Sequence, residues 1–172
     1  MSRTVTLVSI DGTPIGTADL VDAHTGEGKL HKAFSVYVFR KNRSEILIQQ
    51  RSTQKMLWPG IWANTCCSHP VELVTPQIAG ERRLKEELGF TCPLTPVTNF
   101  VYRAEDPLKR GVEHEHVTIL RGDDPAGEVK ADPAEVMAYT WMPIPDLQKD
   151  MNDHPDHYAP WFHQGLKILL SA

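Results

Sequence analysis

The sequence predicts an α/β or α+β fold, a mixed β-sheet covered by helices. Three observations carry that expectation. Strand-like runs separated by turn residues recur from Thr4 to Met142. One strongly punctuated helix interrupts them at Pro76–Leu88. The 172 residues contain no repeat, low-complexity tract or linker at which the chain would divide. Strands mixed with a few helices in one unit imply a sheet whose apolar faces the helices cover, so a single domain, residues 1–172, is expected.

The elements follow in order. Thr4–Ile10 reads as a first strand ending at the turn signal Asp11-Gly12. Ala33–Phe39 and Ile46–Gln50 read as a hairpin about the polar Lys41-Asn42-Arg43-Ser44. Trp62–Cys67 is a short strand. Pro76–Leu88 is the clearest helix: Thr75 can cap it, Pro76 suits the first helical position, and Gly89 suits the position just past its end. Further strands are expected at Val97–Ala104, Glu115–Leu120 and Met137–Met142, and a last helix at Pro160–Leu170.

Composition narrows the function. With 41% hydrophobic and 23% charged residues the chain matches a soluble globular protein and not a disordered one. Its three cysteines, Cys66, Cys67 and Cys92, are an odd set with one adjacent pair, a poor disulfide framework. The stretch from Met1 to Asp11 is too short and too interrupted for a signal peptide, and no window approaches the roughly 18 apolar residues of a membrane span. A cytoplasmic setting with no membrane partner is expected. A net charge of −4 gives no general pull toward nucleic acid, so an anionic ligand would need a local basic cluster. Oligomeric state, monomer or dimer, is left open.

Several segments could carry chemistry. In Asn64-Thr-Cys-Cys-Ser-His-Pro70, strand alternation puts Cys67 and His69 on one face and turns Cys66 away. A thiol beside an imidazole or metal can be held as the reactive thiolate, though two buried cysteines acting as small apolar residues would read the same. In Val112-Glu-His-Glu-His116, Glu113 and Glu115 aim at one spot, with His114 and His116 opposite. Two convergent carboxylates call for a cation between them or a retained proton. The bland reading is a solvated strand edge. His24, His31, His69 and the Glu113/Glu115 pair could together hold a divalent ion, and such a set of nitrogen and oxygen donors leaves zinc, manganese and magnesium open. Arg51, Lys55 and Arg83 form a basic set suited to phosphate. Arg83 and Glu87, four apart on the helix, are either a surface ion pair or a phosphate contact beside a magnesium ligand.

Taken in order, these residues are no longer generic. His24-Thr, Leu30-His31-Lys-Ala-Phe-Ser35, Arg51 to Lys55, Trp58-Pro-Gly-Ile-Trp62, Asn64 to Pro70 and Arg82-Arg-Leu-Lys-Glu-Glu-Leu-Gly89 are followed by Tyr102 to Pro107, Glu113-His-Glu115 and Pro160-Trp161. The set resembles the type I isopentenyl-diphosphate isomerases from Thr4 to about Leu166. That resemblance implies a Nudix-like fold and interconversion of isopentenyl and dimethylallyl diphosphate, a step of isoprenoid precursor biosynthesis, through a carbocation. It implies Cys67 and Glu115 as catalytic residues, Tyr102 as the phenol beside the acid and Trp161 as the indole over the hydrocarbon. His24, His31, His69, Glu113 and Glu115 match ligands of a protein-held divalent ion, with Cys67 beside them as a further ligand. Glu87 matches the ligand of a magnesium that arrives with the diphosphate, and Arg51, Lys55 and Arg83 match its diphosphate contacts. The expected chemistry has Glu115, assisted by Tyr102, delivering a proton on one face while Cys67 handles the proton opposite.

Departures from pattern are informative too. Where a Nudix hydrolase box has Arg-Glu-x-x-Glu-Glu, this helix reads Arg82-Arg83-Leu84-Lys85-Glu86-Glu87, and Val74 and Ser68 replace the outlying Glu and Gly. Fewer carboxylates weaken multi-metal activation of water, which favours isomerisation over the alternative of a diphosphohydrolase acting on a nucleotide or other pyrophosphate; a non-catalytic binding module would instead show ordinary reactivity at Cys67 and no turnover. A basic residue that some relatives carry just before the first histidine is replaced here by Leu20 or Val21, removing one peripheral phosphate contact.

Overall fold

The computed structural model describes residues 3–71 and 74–171. In chain order the elements are β1 (Thr4–Val8), β2 (Pro14–Asp19), α1 (Leu20–Ala23), β3 (His31–Arg40), β4 (Glu45–Arg51), β5 (Trp62–Ala63), β6 (Cys66–Ser68), α2 (Pro76–Leu88), β7 (Leu94–Glu105), β8 (Val112–Asp123), β9 (Val136–Pro143), α3 (Ile144–Asp153), a 3₁₀ turn at Pro155–His157, and α4 (Pro160–Ser171).

One mixed sheet organises them, and β3 is its spine. Along one edge β3 runs parallel to β8, from His31 opposite Glu115 to Phe39 opposite Asp123. Its other edge is shared by three antiparallel partners in succession: β1 at His31, β6 at Phe34–Val36 and β4 at Phe39–Arg40. A strand buried on both faces needs a continuous apolar run, which Ala33-Phe-Ser-Val-Tyr-Val-Phe39 supplies with one interruption at Ser35. Phe34, Val36 and Val38 pack with Leu84 and Leu88 of α2. Tyr37 and Phe39 pack with Phe162 and Leu166 of α4 and Leu147 of α3. The sheet is therefore sandwiched between helices, as the sequence predicts.

Helix α2 forms where its caps put it. Thr75 accepts from the Ile78 amide, and Gly89 sits at φ 76° past the end, where a side chain would be strained. The predicted strand at Trp62–Cys67 is instead two short ones, because Asn64 and Thr65 leave the ladder. Asn64 Nδ2 donates to the carbonyls of Val36 and Cys66, and Thr65 Oγ1 donates to Leu47 O while accepting from the Val38 amide. Four elements have no counterpart in the sequence reading: β2, the single turn α1, α3 and the 3₁₀ turn at Pro155–His157. β2 contains Pro14 and Gly16 and lies mostly exposed at the sheet edge, so neither propensity nor alternation marks it. α3 begins with Pro143 as a cap that makes no side-chain bond.

Candidate active site

A cavity of about 330 Å³ opens where the ends of β6 and β8 meet α1, and the predicted site residues stand around it in three groups, all but His31 and Glu87 lining its wall.

The first is the histidine–carboxylate group. His24 follows α1, His31 begins β3, His69 follows β6, and Glu113 and Glu115 share one face of β8. One ligand atom from each of these five residues lies within 4.8 Å of all the others. His114 turns away, bonding Gly28 O through Nδ1. His24 Nδ1 lies 2.7 Å from Leu20 O and His31 Nδ1 lies 2.7 Å from Lys29 O. A carbonyl only accepts, so both Nδ1 atoms carry hydrogen, and a ring in its neutral form aims an Nε2 lone pair inward. There His24 Nε2 meets Glu113 Oε2 at 3.1 Å, His31 Nε2 meets His69 Nε2 at 3.1 Å, and His69 Nε2 meets Glu115 Oε1 at 2.8 Å. Inward lone pairs and carboxylate oxygens repel unless positive charge sits among them.

The titration behaviour says the same. Burial works against the charged form of His24, but the hydrogen bond and charge of Glu113 outweigh it and raise its pKa to about 9. Burial lowers His69 to about 4 despite Glu115. At Glu115 burial is overcome by hydrogen bonds from His31 and His69, and its pKa falls. Burial and then the charge of Glu115 raise the pKa of Glu113. A divalent cation would replace this strained protonation pattern with direct ligation, and the donor set fits one. Cys67 is not among the five residues whose ligand atoms converge here.

The second group faces the cavity between β6 and α4. Cys67 Sγ donates to Asn64 Oδ1 at 3.0 Å and lies 3.4 Å from Ser35 Oγ. Trp161 Nε1 donates to the same Asn64 oxygen at 3.2 Å. Because the Asn64 amide nitrogen is anchored on two carbonyls, its oxygen is fixed toward the site. On the other wall Tyr102 donates its hydroxyl to Glu115 Oε2 at 2.8 Å, and burial followed by the charge of Glu115 keeps that phenol protonated. Cys66, one residue away, is buried in the α2 core, as alternation predicts. In the metal-free protein burial pushes the Cys67 thiol up to about 12, Ser35 and Asn64 offsetting only part. Desolvation of a thiolate outweighs two neutral hydrogen bonds.

The third group is basic. Arg51, Lys55 and Arg83 line the mouth. Arg51 donates to the carbonyls of Leu57 and Trp58, and its guanidinium carbon stands 5.3 Å from the Trp161 ring centre. The loop beneath holds Trp58 at φ 44°, a costly conformation that Asp106 secures by accepting the Trp58 amide. Glu135 takes both Lys55 and Arg83. Glu87 is buried under Arg83, accepting from it at 2.6 Å and from Gln49, and does not line the cavity itself.

Sequence reading missed Arg3, Glu135 and the positioning role of Asn64. Glu135 lies in an unpatterned acidic loop with no local signal. Asn64 adjoins the cysteine motif, and its closeness was the one available clue.

Comparison with known proteins agrees with this arrangement. Residues 29–162 match the NUDIX domain. A protein named isopentenyl-diphosphate Delta-isomerase from Burkholderia multivorans is 42% identical over 178 aligned residues, covering 98% of this chain and 97% of its own. Its namesake from Halorhodospira halophila is 39% identical over 160, covering 93% and 91%. Among solved structures, a Deinococcus radiodurans protein, DR0079, superposes with a TM-score of 0.69 at 15% identity over 88% of this chain and 90% of its own. A MutT protein from Methanosarcina mazei Go1 gives 0.63 at 14% over 80% and 91%. Those two likenesses speak for the fold alone. The chain carries a NUDIX domain and belongs to the isopentenyl-diphosphate Delta-isomerase family.

Proposed function

We propose that this protein is an isomerase that interconverts isopentenyl diphosphate and dimethylallyl diphosphate as a single-domain, cytoplasmic enzyme. One observation carries the mechanistic reading: Cys67 and the Tyr102–Glu115 pair face one cavity from strands on opposite edges of β3. Strands two positions apart leave on the order of 10 Å between backbones, room for a five-carbon chain between the two side chains.

Moving the double bond adds a proton at the terminal methylene and removes one from the carbon beside the diphosphate arm. An alkene is a very weak base, and its protonation gives a tertiary cation that water would capture. The site must therefore exclude water and stabilise positive charge. Trp161, 3% exposed, supplies an aromatic wall held in place by Asn64 and by an edge-on contact with Trp58 at 5.4 Å. Burial leaves Cys67 as the thiol, while the pKa of Glu115 lies below the ordinary carboxylate range. Cys67 and Glu115 are thus assigned as the two groups that give and take protons on opposite faces of the alkene. Tyr102 stays protonated and steadies the Glu115 carboxylate. The labels exchange with the direction of reaction.

Arg51, Lys55 and Arg83 hold the diphosphate and so position the alkene without reacting. A divalent ion, zinc, manganese or magnesium, bound by His24, His31, His69, Glu113 and Glu115 would supply the positive charge that orients Glu115. Glu87, buried under Arg83, would come within reach of a diphosphate-borne magnesium once Arg83 turned from it to the diphosphate. The three thiols, none in a disulfide, suit a reducing compartment.

Incubation with isopentenyl diphosphate and magnesium, read by NMR, tests the reading. Dimethylallyl diphosphate without phosphate release supports it. Release of phosphate or pyrophosphate points to a hydrolase instead.

A further inference from the structure

We propose that Arg3 is a fourth cation of the diphosphate cradle, a substrate-positioning residue delivered by the segment that leads into β1; the assignment deepens the functional reading above and rests on it. Arg3 lines the same cavity as Arg51, Lys55 and Arg83. Its Nη2 donates to Ser68 Oγ at 2.5 Å, and Ser68 stands between Cys67 and His69 on the cavity wall. The side chain is exposed along much of its length, and its guanidinium is tethered at the cavity rim by this bond.

Its backbone is anchored. The Arg3 carbonyl accepts from the Leu20 amide at 2.7 Å, and Thr4 pairs with Asp19 where the β1–β2 ladder begins. Leu20 also lines the cavity, at the start of α1. The turn leading to His24 therefore presents an apolar side chain at this rim, and Arg3 brings a cation to it from the neighbouring strand.

The electrostatics of the rim point to an anion. Glu135 pairs with Lys55 and Arg83, whereas Arg3 donates to a neutral hydroxyl and Arg51 donates to carbonyls. Burial and then the charge of Arg83 depress the pKa of Arg3. Four cations around one opening repel each other, and a diphosphate relieves that repulsion while offering oxygens to each fork. Arg3 also connects the anion to Ser68, so a bound diphosphate would fix the wall that carries Cys67.

The test uses Arg3→Met and Arg3→Lys in the full chain. Two readouts are taken: turnover of isopentenyl diphosphate, and binding of inorganic pyrophosphate with magnesium by calorimetry. For Arg3→Met the expected outcome is a rise in KM and in the pyrophosphate Kd of about tenfold, the loss of one charge-assisted contact. The fall in kcat should be smaller than the rise in KM, and Arg3→Lys should recover most of both. Salt dependence of pyrophosphate binding should become shallower in Arg3→Met. Wild-type values of KM and Kd in Arg3→Met would overturn the proposal. If the wild type binds pyrophosphate but does not isomerise, the functional reading fails while a weakened pyrophosphate Kd in Arg3→Met still upholds the anion assignment.

Discussion

Cys66 and Cys67 are chemically identical neighbours with opposite surroundings, and the difference is strand alternation. β6 sends Cys66 into the core beneath α2 and Cys67 into the cavity beside Asn64. Cys67→Ala is therefore expected to remove nearly all isomerisation while leaving the denaturation midpoint near wild type. Cys66→Ala should keep most activity and lose about 1–2 kcal/mol of stability to a small cavity. Urea titration and turnover on both variants check this, and the reverse pattern would exchange their roles. An epoxide analogue of the substrate should label Cys67 alone by mass spectrometry. Asn64 is the second residue whose role is local geometry. Its oxygen takes both Cys67 Sγ and Trp161 Nε1, and its nitrogen closes two buried carbonyls. Asn64→Ala should cost about 1–3 kcal/mol for the unpaired groups. It should also lower kcat more than it raises KM, because thiol and indole lose their common anchor; a pure KM effect would contradict that role.

At the scale of elements, the structure separates what patterning can announce from what only tertiary contact decides. α2 was legible to the residue, since Thr75, Pro76 and Gly89 are local signals that act without help from the rest of the chain. The central strands β3, β4 and β8 were legible because burial on one or both faces writes itself into apolar runs. β2 was not, because an exposed edge strand with Pro14 and Gly16 owes its conformation to pairing with β1. The break between β5 and β6 was hidden for a similar reason: Asn64 and Thr65 exchange ladder bonds for long-range side-chain bonds. The seat of α4 on β3 offers a test of packing. A Cβ on Gly165 would run into Tyr37 Oη, a hydroxyl that is itself buried without a hydrogen-bond partner among the described atoms. Tyr37→Phe should then be neutral or slightly stabilising, because an unpaired buried hydroxyl is lost. Gly165→Ala should destabilise by about 1–3 kcal/mol, and by less in the Tyr37→Phe background. Additive effects in the double variant, measured by thermal melting, would refute the clash.

On the scale of the whole molecule, the site exists only because the fold gathers distant segments: α1, β3, the end of β4 and the loop after it, β6, α2, β7, β8 and α4. Residue types and spacing showed which side chains could ligate and which could hold phosphate. They could not show that Glu135 competes for Lys55 and Arg83, that Arg3 shares the rim, or that burial would raise the Cys67 pKa. Those depend on the shape of the cavity. The gathered histidines also set a pH dependence for the metal-free protein. His24 has a folded pKa of about 9 against 6.5, so its contribution is complete below 6.5 and is lost as pH rises through 9. His69 has a folded pKa of about 4 against 6.5, so the fold loses stability as pH falls from 6.5 toward 4. Below pH 6.5 the raised pKa of Glu113 opposes the His69 limb, so the clear expectation after chelation is a melting temperature that falls as pH rises from 6.5 through 9. Restoring a divalent ion should raise the alkaline limb most, since the ion replaces the His24 proton; a metal-free profile flat from pH 6.5 to 9 would contradict the assignment of His24. The central claim is proton addition and removal on a carbon chain whose diphosphate stays intact, and deuterated water reads it directly. Wild-type protein with isopentenyl diphosphate and magnesium should give dimethylallyl diphosphate bearing deuterium in a methyl group, and Cys67→Ala should give almost none. Unlabelled substrate, or a cleaved diphosphate, from the wild-type protein would contradict the account.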